Sequence, residues 1–123
     1  MKRFSRSLAR KLRKIEGKCF PKHDRGLGGA DGSSWVYYRP GAYLVIDFDD
    51  VDVDVEVLDY ASLDRRSGFA VLREFLSDCK AKGWHRVRAS LRRVTWENRG
   101  ILSRFEMAIE YEEEDYVGVV LYP

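Results

Sequence analysis

The chain has 123 residues, enough for one domain that buries roughly two-thirds of its unfolded surface without a metal or disulfide staple. Its 22 Lys and Arg against 20 Asp and Glu leave a formal charge of +2, so the net charge excludes nothing and its distribution carries the information. Cys19 and Cys79 lie far apart, outside any paired motif, which argues against a disulfide framework and for a reducing, cytoplasmic setting. No apolar run approaches the roughly 20 residues that span a bilayer, and the basic N-terminus lacks the continuous apolar stretch of a secretory signal.

Phe4, Leu8, Leu12 and Ile15 describe one stripe of a helix. The same segment carries Lys2, Arg3, Arg6, Arg10, Lys11, Arg13, Lys14 and Lys18 against the single acid Glu16. Gly17 and Pro21 predict its end. "DRGLGGADGSS" reads as a loop, because four glycines among Asp and Ser cannot pack a core. "SWVYYRPGAYLVIDF" predicts two strands around Arg39-Pro40-Gly41, and Asp49-Asp50 a second turn. Then acid and valine alternate: Val51, Val53, Val55 and Val57 on one face, Asp52, Asp54 and Glu56 on the other, followed by Leu58 and Tyr60. From Ser67 to Lys82 the period becomes helical, with Phe69, Leu72, Leu76 and Cys79 in a stripe widened by Val71 and Phe75, closed by Gly83. Val87, Ala89 and Leu91 predict a strand, "ENRGILSRF" a short helix, and "EMAIEY" and "YVGVVLY" two closing strands joined by an acidic turn.

A strand, helix and strand in succession imply a parallel crossover, while the earlier meander is antiparallel. The expected fold is a mixed α/β domain over residues 1–123, its sheet mostly antiparallel with helices on both faces. Where the crossover helix begins, "LDRRSGFA" sets Arg65, Arg66, Ser67 and Gly68 at a helix N-terminus, whose unpaired N–H groups attract anions. Gly68 offers no Cβ to hold a phosphate away, Ser67 suits a cap, and the arginines oppose the helix dipole. A local rule broken without evident gain marks a candidate phosphate site.

"RRSGFA" at 65–70 resembles the Arg/Gln-x-x-Gly-x-Gly/Ala signature of the GNAT acetyltransferase superfamily. "IEGKCFP", "CKAKGWHRVRASL", "ENRGILSRFE" and "DYVGVVL" are similar to further family segments in family order, over about residues 8 to 121. The resemblance implies a GNAT-like fold with acetyl-CoA as co-substrate and an amine of a small molecule or protein as acceptor. It implies a diphosphate at Arg65, Arg66, Ser67, Gly68, Phe69 and Ala70, and a pantetheine arm paired with backbone from Leu58 to Tyr60. Asn98 is implied near the thioester, and a carboxylate base at Asp54 or Glu56. Three departures stand out, one being that Gly83 to Asn98 is a few residues longer than the family pattern. Phe105 occupies the place of the family's proton-donating tyrosine, with Tyr111 or Tyr60 as replacements. The family's first strand is apparently missing, leaving an edge for a second subunit or a host protein to cover.

Two other functions compete. One is a GNAT-fold protein with weak or no catalysis that binds a partner protein. The other is nucleic-acid binding through the basic first helix, which would be salt-sensitive and sequence-blind and is the least supported, since no aromatic readout motif accompanies the cations. Metal binding at Cys19 and His23 is disfavoured because Pro21 spoils a helical ligand face. The acidic run Glu110, Glu112, Glu113, Glu114 and Asp115 reads as a solvated face. Trp35, Trp84 and Trp96 read as core anchors rather than a ligand cage.

Overall fold

The computed structural model describes residues 1–22, 26–48, 54–100 and 102–123. The Asp49-Asp50 turn, the Val51, Asp52 and Val53 part of the alternation, and His23 lie outside the described residues. Helix α1 (Arg6–Cys19) is capped by Ser5, whose Oγ accepts the Leu8 N–H at 3.3 Å. It buries Leu8, Ala9, Leu12, Ile15 and Glu16. It runs through Gly17, because one helical glycine costs only about 1 kcal/mol. Pro21 stops it, since the residue before a proline avoids the helical region.

Strands β1 (Lys2–Arg3), β2 (Trp35–Arg39), β3 (Ala42–Phe48), β4 (Asp54–Ser62), β5 (Arg86–Arg92), β6 (Glu106–Glu112) and β7 (Tyr116–Tyr122) form one sheet in the order β1-β2-β3-β4-β5-β7-β6. Among the described residues, only β4 and β5 pair in parallel; the other pairs are antiparallel. The first strand is not missing. It is cut to two residues, Lys2 opposite Val36 and Arg3 opposite Trp35.

Helix α2 (Arg65–Lys82) makes the crossover and ends on Gly83 in the left-handed region at φ 70°. It starts two residues before the periodicity suggested, because Asp64 rather than Ser67 is its cap. Its buried line is Gly68, Val71, Phe75 and Cys79, and Phe69 stays 38% exposed. The sequence stripe was therefore turned slightly off the true buried face. The α2 face of the sheet packs Leu44, Ile46, Val55 and Val57 against Val71, Phe75 and Trp84. The α1 face packs Val36, Tyr43 and Val45 against Leu8, Leu12 and Ile15. Trp84 is core; Trp35 and Trp96 are partly buried packing residues.

Two irregularities prepare the site. Opposite β3, Val45 pairs with Asp59 but Ile46 pairs with Val57, so Leu58 is an extra residue in β4. This bulge puts Leu58 in the α1-face cluster and Tyr60 against the α2-face cluster, not both beside the acids as strict alternation implied. In addition, β4 and β5 pair only from Asp54 with Arg86 to Val57 with Ala89. Beyond those positions the two strands part.

The helix expected over 97–105 divides. Helix α3 (Arg93–Glu97) precedes Asn98, and a 3₁₀ turn (Leu102–Arg104) follows. Strand β6 is the far edge of the sheet, with Ile109 52% exposed. Its glutamates discourage edge-to-edge pairing with another chain. Glu110 faces Arg88 and Glu112 faces Arg93, each at 3.5 Å. Among the described residues, no helix is long and apolar enough to cross a membrane.

Candidate cofactor and transfer site

The helix α2 N-terminus is built by three neighbouring pieces. Asp64 accepts the Ser67 N–H at 2.8 Å and the Ser67 hydroxyl at 3.0 Å. Those bonds, the backbone one first, hold the Asp64 carboxyl below the usual carboxylate range. Its charge also offsets the two arginines placed against the dipole. The Pro40-Gly41 turn abuts this cap, with Leu63 N–H donating to Gly41 C=O at 2.7 Å. A Cβ on Gly41 would meet Ser67 Oγ at 2.6 Å, so only glycine lets the turn lie so close.

Gly68 is buried and explained twice over. A Cβ there would meet Ser62 Oγ at 2.6 Å and the Tyr60 hydroxyl at 2.8 Å. The missing side chain lets the helix settle on the end of β4. The N–H groups of Ser67 and Gly68 already donate to Asp64, through its carboxylate and its backbone C=O. Space for an anion therefore lies on the exposed side of the turn, where Arg65 and Arg66 stand.

A cleft of about 560 Å³ opens there, lined among others by Tyr60, Arg65, Gly68, Phe69, Asn98 and Arg104. It gathers residues from β4, α2 and the segment after α3. Of the residues implied for the cofactor, Tyr60, Arg65, Gly68, Phe69 and Asn98 share this cleft. Leu58, Arg66, Ser67 and Ala70 are not among its lining. Asn98 ends α3 and donates from Nδ2 to Val94 C=O at 2.8 Å. Arg104, which sequence reasoning passed over, adds a third cation to the cleft's surroundings.

Tyr60 also lines a second space, an apolar cavity of about 60 Å³ between α2 and the sheet, together with Leu72, Leu76, Leu91 and Phe105. Phe105 is partly buried in it and contributes no hydroxyl. Of the two tyrosines considered as replacements, Tyr60 adjoins both spaces, and burial raises its phenol pKa. Tyr111 instead donates to Ser90 Oγ at 2.9 Å, its ring lying over Gly118.

The two candidate bases stand elsewhere, on the lower α1 face. Asp54, Glu56, Asp47 and Arg88 line an open cleft of about 390 Å³. Asp54 is engaged by Arg86, at 3.0 Å from Nε and 2.5 Å from Nη2. That hydrogen bond holds its carboxyl below the usual range. Glu56 is exposed, and among the described residues it forms no ion pair.

Between the two clefts, where β4 and β5 part, lies a feature the sequence reading did not anticipate. Arg92 is 3% exposed. It reaches Asp59 at 2.6 Å and Glu16 at 2.9 Å, and its guanidinium stacks 3.8 Å from the Phe20 ring centre. Tyr43 donates its hydroxyl to Asp59 at 2.8 Å, and next to that carboxylate burial drives the phenol pKa far up. Burial works against the charge on Arg92, but the carboxylates outweigh it and raise its pKa. Arg92 also donates to Tyr60 C=O at 3.4 Å, and Tyr60 N–H donates to Asp59 at 2.9 Å. The backbone groups of Tyr60 implied for pairing with a pantetheine arm thus have partners inside the protein. Two signals were present in the sequence. Glu16 falls in the apolar stripe of its helix, four residues after Leu12. The doublet Val57-Leu58 breaks the acid–valine alternation just before Asp59.

The fold is that of the GNAT-type N-acetyltransferases. The chain is similar to an IAA acetyltransferase from Bacillus cereus, at 11% identity and a TM-score of 0.60 over 90% of this chain and 91% of that one. It is similar to Escherichia coli ElaA, at 14% identity and a TM-score of 0.59 over 95% and 91%. N-acetylglutamate synthase from Neisseria gonorrhoeae, solved with coenzyme A and N-acetyl-glutamate, matches at 14% identity and a TM-score of 0.58, with all of this chain covering 34% of that one. No family model matches the sequence, and no curated protein is similar to it by sequence.

Proposed function

We propose that this protein is an acetyl-CoA-dependent N-acetyltransferase acting on a primary amine of a small molecule or protein. The observation that carries the reading is the cleft at the α2 N-terminus, which joins Arg65, Gly68 and Asn98 to Tyr60 beside the parting of β4 and β5. Its size and its cations suit the diphosphate of coenzyme A. Arg65 would hold that group by charge-assisted hydrogen bonds, with Arg66 and Arg104 adding attraction. The thioester end would point past Tyr60 toward the apolar lining of the inner cavity, since the Tyr60 backbone is already engaged.

The bound thioester supplies an activated acyl carbon. The acceptor nitrogen bonds to that carbon as the carbon–sulfur bond breaks. Glu56 takes the amine's proton, since an amine near pKa 10 is mostly charged at neutral pH. Asp54 serves less well, being engaged by Arg86. The Tyr60 hydroxyl gives a proton to the departing sulfur, a role Phe105 lacks the chemistry for. Glu56 and Tyr60 approach from opposite faces of the sheet, so transfer requires Arg92 to leave the gap between them.

That last requirement favours a second reading: a GNAT-fold protein with weak or no catalysis that binds a partner protein. The engaged Tyr60 backbone and Phe105 support it.

Calorimetry with acetyl-CoA, together with thiol release against a panel of amines, tests both. Micromolar binding is expected, weakened by about tenfold or more in Arg65→Ala, whose side chain is exposed and outside the core. Binding without thiol release selects the second reading. No binding to the wild type sinks the cofactor site itself. Gly68 is unsuited to this test, because its substitution strains the fold before it touches a ligand.

A further inference from the structure

We propose that the outward face of α1 binds the phosphate backbone of duplex nucleic acid without reading its sequence. In the sequence the segment is basic with one acid. In the fold that acid is withdrawn: Glu16 is 7% exposed and its carboxylate is given to Arg92 at 2.9 Å. Arg6, Arg10, Arg13, Lys14 and Lys18 are all exposed. Among the described residues, none of these five forms an ion pair. At 3.6 residues per turn, Arg6, Arg10, Arg13 and Lys14 lie on the side opposite Leu8, Leu12 and Ile15. From Arg6 to Lys14 this strip runs about 12 Å along the 14-residue helix. Lys2, paired opposite Val36 of the α1 face, adds one more exposed cation just before the helix.

Three features choose among polyanions. The apolar half of α1 is already buried against Leu27, Val36 and Tyr43, and no apolar side chain points outward to enter a bilayer. The aromatic rings near the cations, Phe4, Trp35 and Tyr38, are partly buried and packed against the core, so they offer unpaired bases no open face to stack on. Of the acids on β6, Glu110 and Glu112 already face Arg88 and Arg93, which leaves a second copy a shorter acidic row than a phosphate backbone offers. A row of phosphates matches what remains: fixed charges, met by guanidinium and ammonium groups, with counterions released on contact.

Fluorescence polarisation with two unrelated labelled duplexes of about 20 base pairs tests this, titrated from about 50 mM to about 200 mM salt. Both duplexes should bind equally, and four phosphate contacts should cost about a hundredfold in affinity over that range. Changing Arg6, Arg10, Arg13 and Lys14 together to Gln should remove most of the binding and flatten the salt slope, with circular dichroism unchanged because all four side chains are exposed. The pair Arg65→Gln and Arg66→Gln, at the α2 mouth, should leave duplex binding intact. The proposal falls if the wild type ignores duplex at low salt, or if the fourfold variant binds as the wild type does. It also falls if phosphatidylserine vesicles are bound as well as duplex and are lost with the same four substitutions.

Discussion

The α2 mouth and the gap between β4 and β5 lie next to each other and are built on opposite plans. The mouth is exposed and held by short-range devices: an Asp64 cap, a close Gly41 turn and a glycine seat at Gly68. The gap is buried and held by residues distant in the chain, with Glu16 and Arg92 separated by 76 positions. A mouth of this kind can admit an anion without rearrangement. The gap admits nothing until a buried ion network is broken. Binding and transfer are therefore separable properties of this chain, and substitutions can move one without the other.

The largest effect is expected at Arg92. Arg92→Met leaves Asp59 and Glu16 buried without their cation and should cost about 3–5 kcal/mol, read from urea unfolding. Adding Asp59→Asn and Glu16→Gln should recover part of that loss, because the stranded charges go. A triple variant as unstable as the single one would mean that Arg92 acts through packing on Phe20 rather than through charge.

A smaller effect is expected at the mouth. Gly68→Ala should cost about 1–3 kcal/mol by overpacking against Ser62 and Tyr60. Tyr60→Phe and Ser62→Ala together should relieve it, since both removed oxygens are those the new methyl meets. If Gly68→Ala is neutral alone, the helix is free to lift off β4 and the mouth is softer than described.

The smallest effect concerns acid. Asp54 and Asp64 have carboxyl pKa values lowered by Arg86 and by Ser67. Their stabilisation is complete above the unfolded value near pH 4 and is lost as pH falls through the lower folded value, because the unfolded chain then binds more protons. The urea midpoint should drop between about pH 4 and pH 2, and the drop should be shallower in Asp64→Asn. An unchanged slope would show that the cap is broken in solution.

The contrast between the two regions also explains what could be read beforehand. The mouth was legible because its signal is local. Arg65 to Ala70 sit together in sequence, and the change from period two to helical period marks the turn. The mixed sheet was legible for the same reason, through Val55, Val57, Val87 and the aromatic meander. The network was not, since no window contains Glu16, Asp59 and Arg92 together. The bulge at Leu58 compounded this by reversing the faces of Asp59 and Tyr60, which strict alternation cannot express. The helix after β5 was misplaced because Asn98 and Gly100 look like a beginning. In the fold, α3 comes first and Asn98 closes it.

The two thiols give the chain an internal clock for these motions. Cys79 lies in the α2 core with its pKa pushed up to about 12 by burial, so an alkylating reagent reaches it only when the domain opens as a whole. Cys19 is half-buried at the end of α1, donating to Ser62 C=O at 3.4 Å on the strand beneath the mouth. Its modification rate follows the local breathing of that corner, and the ratio of the two rates distinguishes a chain that merely gapes from one that unfolds.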